Sequence, residues 1–318
     1  MKWESILKII GPVLFLYFLT RIDFNQLFSL VKNTNIFYLL LSFFLWSPLI
    51  FIRSFKWKVI VDSFGEKIAS RKLFSMFVKG IFWGLVTPAR LGEFYRVKYL
   101  QEESKHSLRR SLFMVILDRM VDLFGAILLS LILFLILIYL MEIEIPIILG
   151  AILVLAFFVF IFIIFCQRQS RRIIAFFFKI ILPSSFRIRV EDILDEFFFE
   201  LKKIKTFFFL KLFGFELLCY LSMACAHFFL AKALGLSIPF WYLYLIDAFV
   251  VMAVSLPVSI FGLGTREASY AFLLMPFGVN FNEALAFSFI VMFMNFFIGI
   301  PGLILYLFEK RKGKSLTQ

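Results

Sequence analysis

Histidine and cysteine are almost missing from this sequence. Two histidines and three cysteines in 318 residues leave little material for metal or nucleophilic chemistry. There is no His-Glu-x-x-His, no visible acid/base partner for either histidine, and no Asp-rich metal motif beyond Asp118 and Asp122. His106 sits in a basic loop and His227 in an apolar run; Cys166, Cys219 and Cys225 lie in or beside apolar runs without metal-ligand spacing and read as packing residues. No glycine-rich Lys-Ser/Thr phosphate loop occurs either, so ATP is not the expected energy source. The expectation is no catalytic residue, no metal and no cofactor. Charge is scarce as well: 17% of residues are charged against 62% hydrophobic, with a mean hydropathy of +0.96. That excludes a soluble domain and leaves an all-α polytopic membrane protein. The only long polar interval runs from Gln167 to Thr206, so no separate soluble catalytic domain is expected.

What is present is a series of apolar runs. Taking runs of about 17 to 25 residues as spans gives six full spans, near residues 5–20, 36–52, 111–140, 146–166, 207–231 and 284–308. The first has the length of a signal peptide, but Thr20-Arg21-Ile22-Asp23 offers no small-residue cleavage site, so it reads as a retained span. The net charge of +13 does not point to nucleic acid, because Lys and Arg gather in loops between apolar runs. Of the 34 Lys and Arg, 27 fall in the intervals 1–8, 53–72, 96–110, 167–211 and 310–314, whereas 20–35, 141–146, 232–239 and 277–283 hold only Arg21, Lys32 and Lys232. By the positive-inside rule both termini are expected in the cytoplasm, with the protein in the cytoplasmic (inner) membrane.

Two further apolar segments, about 73–100 and 240–276, are broken. Gly84 to Arg96 contains Pro88, Gly92, Arg90, Glu93 and Arg96; Ser255 to Glu267 contains Pro257, Gly262, Gly264, Arg266 and Glu267. Proline removes a donor and obstructs the preceding turn, so helices reaching Leu85 and Ser255 should stop near it. In hydrocarbon the freed backbone groups are tolerated only against protein or a cavity. Both segments are therefore expected to be re-entrant hairpins: the first flanked by basic intervals and entering from the cytoplasm, the second flanked by intervals poor in Lys and Arg and entering from outside. The order span, span, hairpin, span then occurs twice, inverted, within a single membrane domain over 1–318. One half covers 1–140 and the other 141–318, the latter including a cytoplasmic interfacial segment over 167–206.

Four cations lie outside the loops: Lys79, Arg90, Arg119 and Arg266. Ionisable groups at membrane depth usually face a polar interior, and Glu93, Asp118, Asp122, Asp247, Glu267 and Glu216 are their candidate partners. Asp118 and Asp122 share a helix face; with Arg119 they form either part of a site or an internal salt-bridge cluster tied to Arg90 or Arg96. An arginine fork suits a phosphate, and free amides at a helix start after each break would favour an anion. In the polar interval, Leu194, Phe197, Phe198, Leu201 and Ile204 recur at helical spacing opposite Glu191, Asp192, Asp195, Lys202 and Lys203, which suits a helix along the interface. Gly80 and Gly84, Asn295 and Gly299-Ile300-Pro301-Gly302 read as packing features, and Trp46, Trp57, Trp83 and Trp241 as anchors near span ends.

The stretches Pro88-Ala89-Arg90-Leu91-Gly92-Glu93-Phe94-Tyr95-Arg96, Asp118-Arg119-Met120-Val121-Asp122 and Gly262-Leu263-Gly264-Thr265-Arg266-Glu267-Ala268 resemble signatures of the flippase-like membrane domain of lysylphosphatidylglycerol synthases and its stand-alone relatives. The resemblance covers nearly the whole chain. It implies translocation of a lipid between leaflets, with Arg90, Glu93, Arg96, Asp118, Arg119, Asp122, Arg266 and Glu267 as substrate-binding candidates. No aminoacyl-transfer domain follows Gln318, so aminoacylation by this polypeptide is not expected. The expected partners are membrane lipids, with a coupling ion as a further candidate and no nucleic acid; nothing in the sequence sets an oligomeric state. An ion-coupled small-solute transporter and a membrane-embedded lipid-modifying enzyme are the alternative classes.

Overall fold

The structure, a computed structural model, describes residues 17, 20, 23, 25, 30, 32–65, 67–103, 107–139, 147–181, 184–256, 259 and 261–315. The expected span at 5–20 lies outside these residues apart from positions 17 and 20, as do His106 and Pro257. Among the described residues there are twelve α-helices and no strand. In chain order they are α1 (Ile36–Trp46), α2 (Pro48–Ser63), α3 (Ser70–Leu85), α4 (Tyr95–Glu103), α5 (Leu108–Tyr139), α6 (Ile147–Phe165), α7 (Gln167–Ile181), α8 (Ser184–Lys203), α9 (Thr206–Ala233), α10 (Phe240–Ser255), α11 (Thr265–Leu274) and α12 (Phe281–Ser315). A 3-10 segment, Pro88–Phe94, stands between α3 and α4.

Helix starts follow local chemistry. Asn35 caps α1, its side-chain oxygen accepting from the amides of Phe37 at 3.1 Å and Tyr38 at 3.4 Å. At the start of α12, Asn280 and Glu283 exchange side-chain and backbone bonds at 2.9 and 3.0 Å, a capping box. Among the described residues, four helical stretches are long and apolar enough to cross a membrane: 36–63, 108–139, 206–233 and 281–309. A fifth is available if the pair 150–165 and 167–178, bent by 114°, counts as one. The chain is thus a multi-pass helical membrane protein. The stretch expected over 36–52 runs on to Ser63 because Arg53 and Lys56, counted above as loop cations, are buried in α2.

The chain divides into two compact units, residues 1–96 with 215–318, and residues 97–214. In the first, α12 crosses α3 closely through glycines. A Cβ on Gly302 would run into the Val78 carbonyl oxygen, and one on Gly299 would stand 2.7 Å from Leu85 Cδ1, so the Gly299–Gly302 stretch is a packing seam. Buried Lys79 on α3 reaches Glu309 of α12 at 2.5 Å.

In the second unit, Phe124 of α5 stacks on Phe160 of α6, ring centres 4.9 Å apart, and meets Phe213 at 5.3 Å. The apolar stripe of α8 is real, but it turns onto protein: Phe197, Phe198 and Leu201 are buried, with Phe197 against Phe113 of α5 at 5.3 Å. Its polar side binds the unit too, Asp192 to Arg109 at 2.6 Å and Asp195 to Arg171. The exposed apolar side chains belong instead to α7, through Ile173, Phe176, Phe177 and Phe178.

Candidate functional site

Both breaks fall where proline dictates. α3 ends at Leu85 and α10 at Ser255, and the residues preceding the prolines, Thr87 (φ −120°, ψ 145°) and Leu256 (φ −69°, ψ 143°), are extended. At 16 residues each, α3 and α10 reach about 24 Å, short of the roughly 30 Å hydrocarbon core.

After Pro88 the chain folds back on α3 through small residues. A Cβ on Gly84 would stand 2.5 Å from Glu93 Cγ, one on Gly80 2.8 Å from Arg96 Cγ, and one on Gly92 would strike the Trp83 carbonyl. The two α3 glycines therefore seat the charged side chains of the returning limb. Thr87 Oγ1 donates to the Trp83 carbonyl at 2.8 Å and accepts from the Gly92 amide at 2.6 Å. Arg96 is fully buried; it donates to the Glu93 carbonyl at 3.2 Å and carboxylate at 3.4 Å, with its guanidinium 4.5 Å from the Trp57 ring centre. Arg90 lies in the 3-10 segment, not at an α-helix start, and holds a left-handed φ of 55°. It approaches Glu93 at 3.9 Å.

The second break has the same grammar with different filling. Phe261 (φ 60°), Gly262 and Gly264 take left-handed conformations, and α11 then starts at Thr265. Its start is not open to a ligand, because Glu267 Oε2 accepts the Gly264 amide at 2.6 Å. Arg266 is held on three sides: Nη2 donates to Glu267 at 2.8 Å, Nε to Ser288 at 3.3 Å, and Nη1 to the Phe261 carbonyl at 3.3 Å.

Within the first unit the two breaks share one cavity of about 60 Å³, the scale of a few water molecules. Arg90 and Thr87 come to its wall from the first break, Ser259, Phe261, Gly262 and Arg266 from the second. Arg53 of α2 adds a third guanidinium and Asn295 of α12 an amide. Tyr270, Trp46 and His227 line it too; the last two are at least 98% buried, and neither Trp46 Nε1 nor His227 Nε2 has a partner among the described residues. A buried donor or acceptor left unmade costs about 1–3 kcal/mol, so water or a polar ligand beside these two atoms would be favoured.

His227 has the acid/base partner that its sequence neighbourhood conceals. Its Nδ1 lies 2.7 Å from Asp247 Oδ1, which also accepts from the Tyr270 hydroxyl at 3.1 Å. Asp247 thus serves histidine and not an arginine. Trp46 stacks on the imidazole at 4.9 Å, so Trp46 and Trp57 are core residues, while Trp241 stays 48% exposed. Lys56 and Arg53 meet buried Glu216 at 2.9 and 3.9 Å.

Of the eight sequence candidates, Arg90 and Arg266 line the cavity, with Glu93 and Glu267 behind them; Arg96 is buried against Trp57 and Phe77. Asp118, Arg119 and Asp122 belong to the second unit, where Arg119 bridges both carboxylates at 3.2 and 2.6 Å. Sequence reasoning missed Arg53, Trp46 and the His227–Asp247–Tyr270 cluster. Polar residues recurring inside otherwise apolar helices were the available signal.

The family model described as "Lysylphosphatidylglycerol synthase TM region" matches residues 5–302. Among curated proteins, the chain is similar to the UPF0104 membrane protein MJ1595 of Methanocaldococcus jannaschii, 26% identical over 121 residues. The match covers 37% of this chain and 36% of that protein, about a third of each.

Proposed function

We propose, for a chain that belongs to the lysylphosphatidylglycerol synthase transmembrane-region family, that it translocates a lipid across the cytoplasmic membrane by admitting a phosphate-bearing headgroup between its two helix breaks. The observation that carries this reading is the shared cavity. Three arginines from three separate elements, Arg53, Arg90 and Arg266, converge there with two unpartnered buried polar atoms. Guanidinium forks suit phosphate oxygens, and a polar cavity reached by interrupted helices is the usual place for a transporter's substrate. The acyl tails remain in lipid while the headgroup crosses. In this reading the protein is a transporter and not an enzyme. Its six spans and two re-entrant hairpins form inverted halves over 1–140 and 141–318, and both termini are cytoplasmic. The exposed Phe176, Phe177 and Phe178 beside Arg168, Arg171 and Arg172 suit α7 to the membrane–water boundary, as the interfacial part of 167–206.

Reconstitution in liposomes containing headgroup-labelled phospholipid tests it, with chemical quenching of the outer leaflet as readout. Wild-type protein should expose the protected label to quencher, and Arg90→Ala in folded protein should not. The small cavity supports a second reading, transport of a free anion, which predicts anion flux with the lipid label still protected. Formation of a modified lipid from an activated donor would instead establish the enzyme class.

A further inference from the structure

Resting on the headgroup reading, we infer that His227 is a proton-binding site coupled to the anion: its Nε2 takes up one proton when a phosphodiester occupies the cavity. Asp247 is a buried carboxylate whose Oδ1 already accepts the Tyr270 hydroxyl at 3.1 Å. As an acceptor-only group it fixes the neutral imidazole with the proton on Nδ1, 2.7 Å away. The lone pair is then on Nε2, which is buried and has no partner among the described residues. His227 and Tyr270 line the cavity while Asp247 does not, so the ring stands between the carboxylate and the cavity.

The charges around the ring set the direction of the coupling. Asp247 on α10 holds Nδ1 of the ring and accepts from Tyr270 on α11. Arg266 on α11 with its Glu267, Arg90 of the 3-10 segment with Glu93, and Arg53 of α2 with Glu216 share the cavity or stand directly behind it. Trp46 of α1 and Phe287 of α12 pack on the ring without charge. A phosphodiester among the arginines offers oxygens that accept from a protonated Nε2. The proton comes from water and leaves with the anion or after it. Each headgroup then crosses with its charge matched by a proton, and a proton gradient supplies drive.

Linkage gives the test. Full-length protein purified in dodecyl maltoside is titrated calorimetrically with dioctanoylphosphatidylglycerol, whose phosphodiester keeps its charge between pH 5 and 8. Buffers of different protonation enthalpy are compared. The expected result is uptake of up to one proton per phosphodiester within pH 5 to 8, with affinity falling as pH rises by at most tenfold per unit. His227→Gln should bind with near-zero uptake and a flat pH profile; Asp247→Asn, which removes the acceptor that holds Nδ1, should change the uptake. Binding with buffer-independent heat in the wild type, or unchanged uptake in both folded variants, overturns the proton site and leaves the headgroup reading standing. No binding by wild type at any pH overturns both.

Discussion

Glu267 is the side chain on which the second break depends most, and Glu267→Ala measures how much. The carboxylate is wholly buried and accepts from the Gly264 amide at 2.6 Å, from Arg266 at 2.8 and 3.2 Å, and from the Ser288 hydroxyl at 3.1 Å. Removing one member of a buried ion pair costs about 3–5 kcal/mol because the other charge is stranded. The Gly264 amide without its acceptor adds about 1–3 kcal/mol. Both effects pass through one carboxylate and do not add fully, so the expected loss is about 4 kcal/mol. Glu267→Gln keeps an oxygen for Gly264 and should lose roughly half of that. The assay is reversible unfolding in mixed micelles with increasing dodecyl sulfate, followed by circular dichroism. Adding Arg266→Ala to Glu267→Ala should recover part of the loss, since it removes the stranded cation. A loss below about 1 kcal/mol, or a double variant no better than the single one, refutes the claim that this pair holds the start of α11.

Arg90 has a left-handed φ of 55°, so Arg90→Gly should be more stable than Arg90→Ala by about 1 kcal/mol in the same unfolding assay, although both lose the guanidinium. Gly302→Ala places a Cβ against the Val78 carbonyl and should force α12 from α3, lowering stability by about 2 kcal/mol or more, whereas Gly278→Ala, with no atom near its Cβ, should show only the smaller backbone effect of its φ of 72°. In a background lacking Cys166, Cys219 and Cys225, single cysteines at the exposed positions Glu103 and Asn280 should label from opposite sides of the membrane; labelling from the same side removes the inverted arrangement.

The breaks were legible because proline acts locally: the ends of α3 at Leu85 and α10 at Ser255 follow from chemistry within a few residues. The helical content follows equally directly from the apolar runs. The partners of the charges were only half legible. Arg266 with Glu267, Glu93 with Arg96, and Arg119 with Asp118 are near neighbours in sequence and were found as groups. Lys56 with Glu216 spans 160 positions and His227 with Asp247 spans 20, and no local rule pairs residues so far apart. Arg53 and Lys56 were counted as loop cations because they follow the apolar run at once, and only packing shows that the helix continues past them. The same limit applies to α8, whose apolar stripe is visible in sequence although the surface it covers, Phe113 of α5, is not.

The three arginines of the cavity face different carboxylates. Arg266 holds Glu267 at 2.8 Å and is fixed by Ser288 and a backbone carbonyl as well, so a phosphate gains little by replacing partners already close to ideal. Arg90 and Arg53 stand 3.9 Å from Glu93 and Glu216. Only interactions stronger in the occupied state than in the empty one draw a ligand in. In the proposed headgroup reading, Arg266 then holds the wall against which the headgroup rests, and Arg53 and Arg90 are the arginines to test for binding it. Arg53→Ala and Arg90→Ala should then weaken phosphodiester binding with modest change in unfolding. Arg266→Ala should do the reverse: stability falls first because Glu267 is left buried and unpaired, and the loss of transport follows from the collapsed wall.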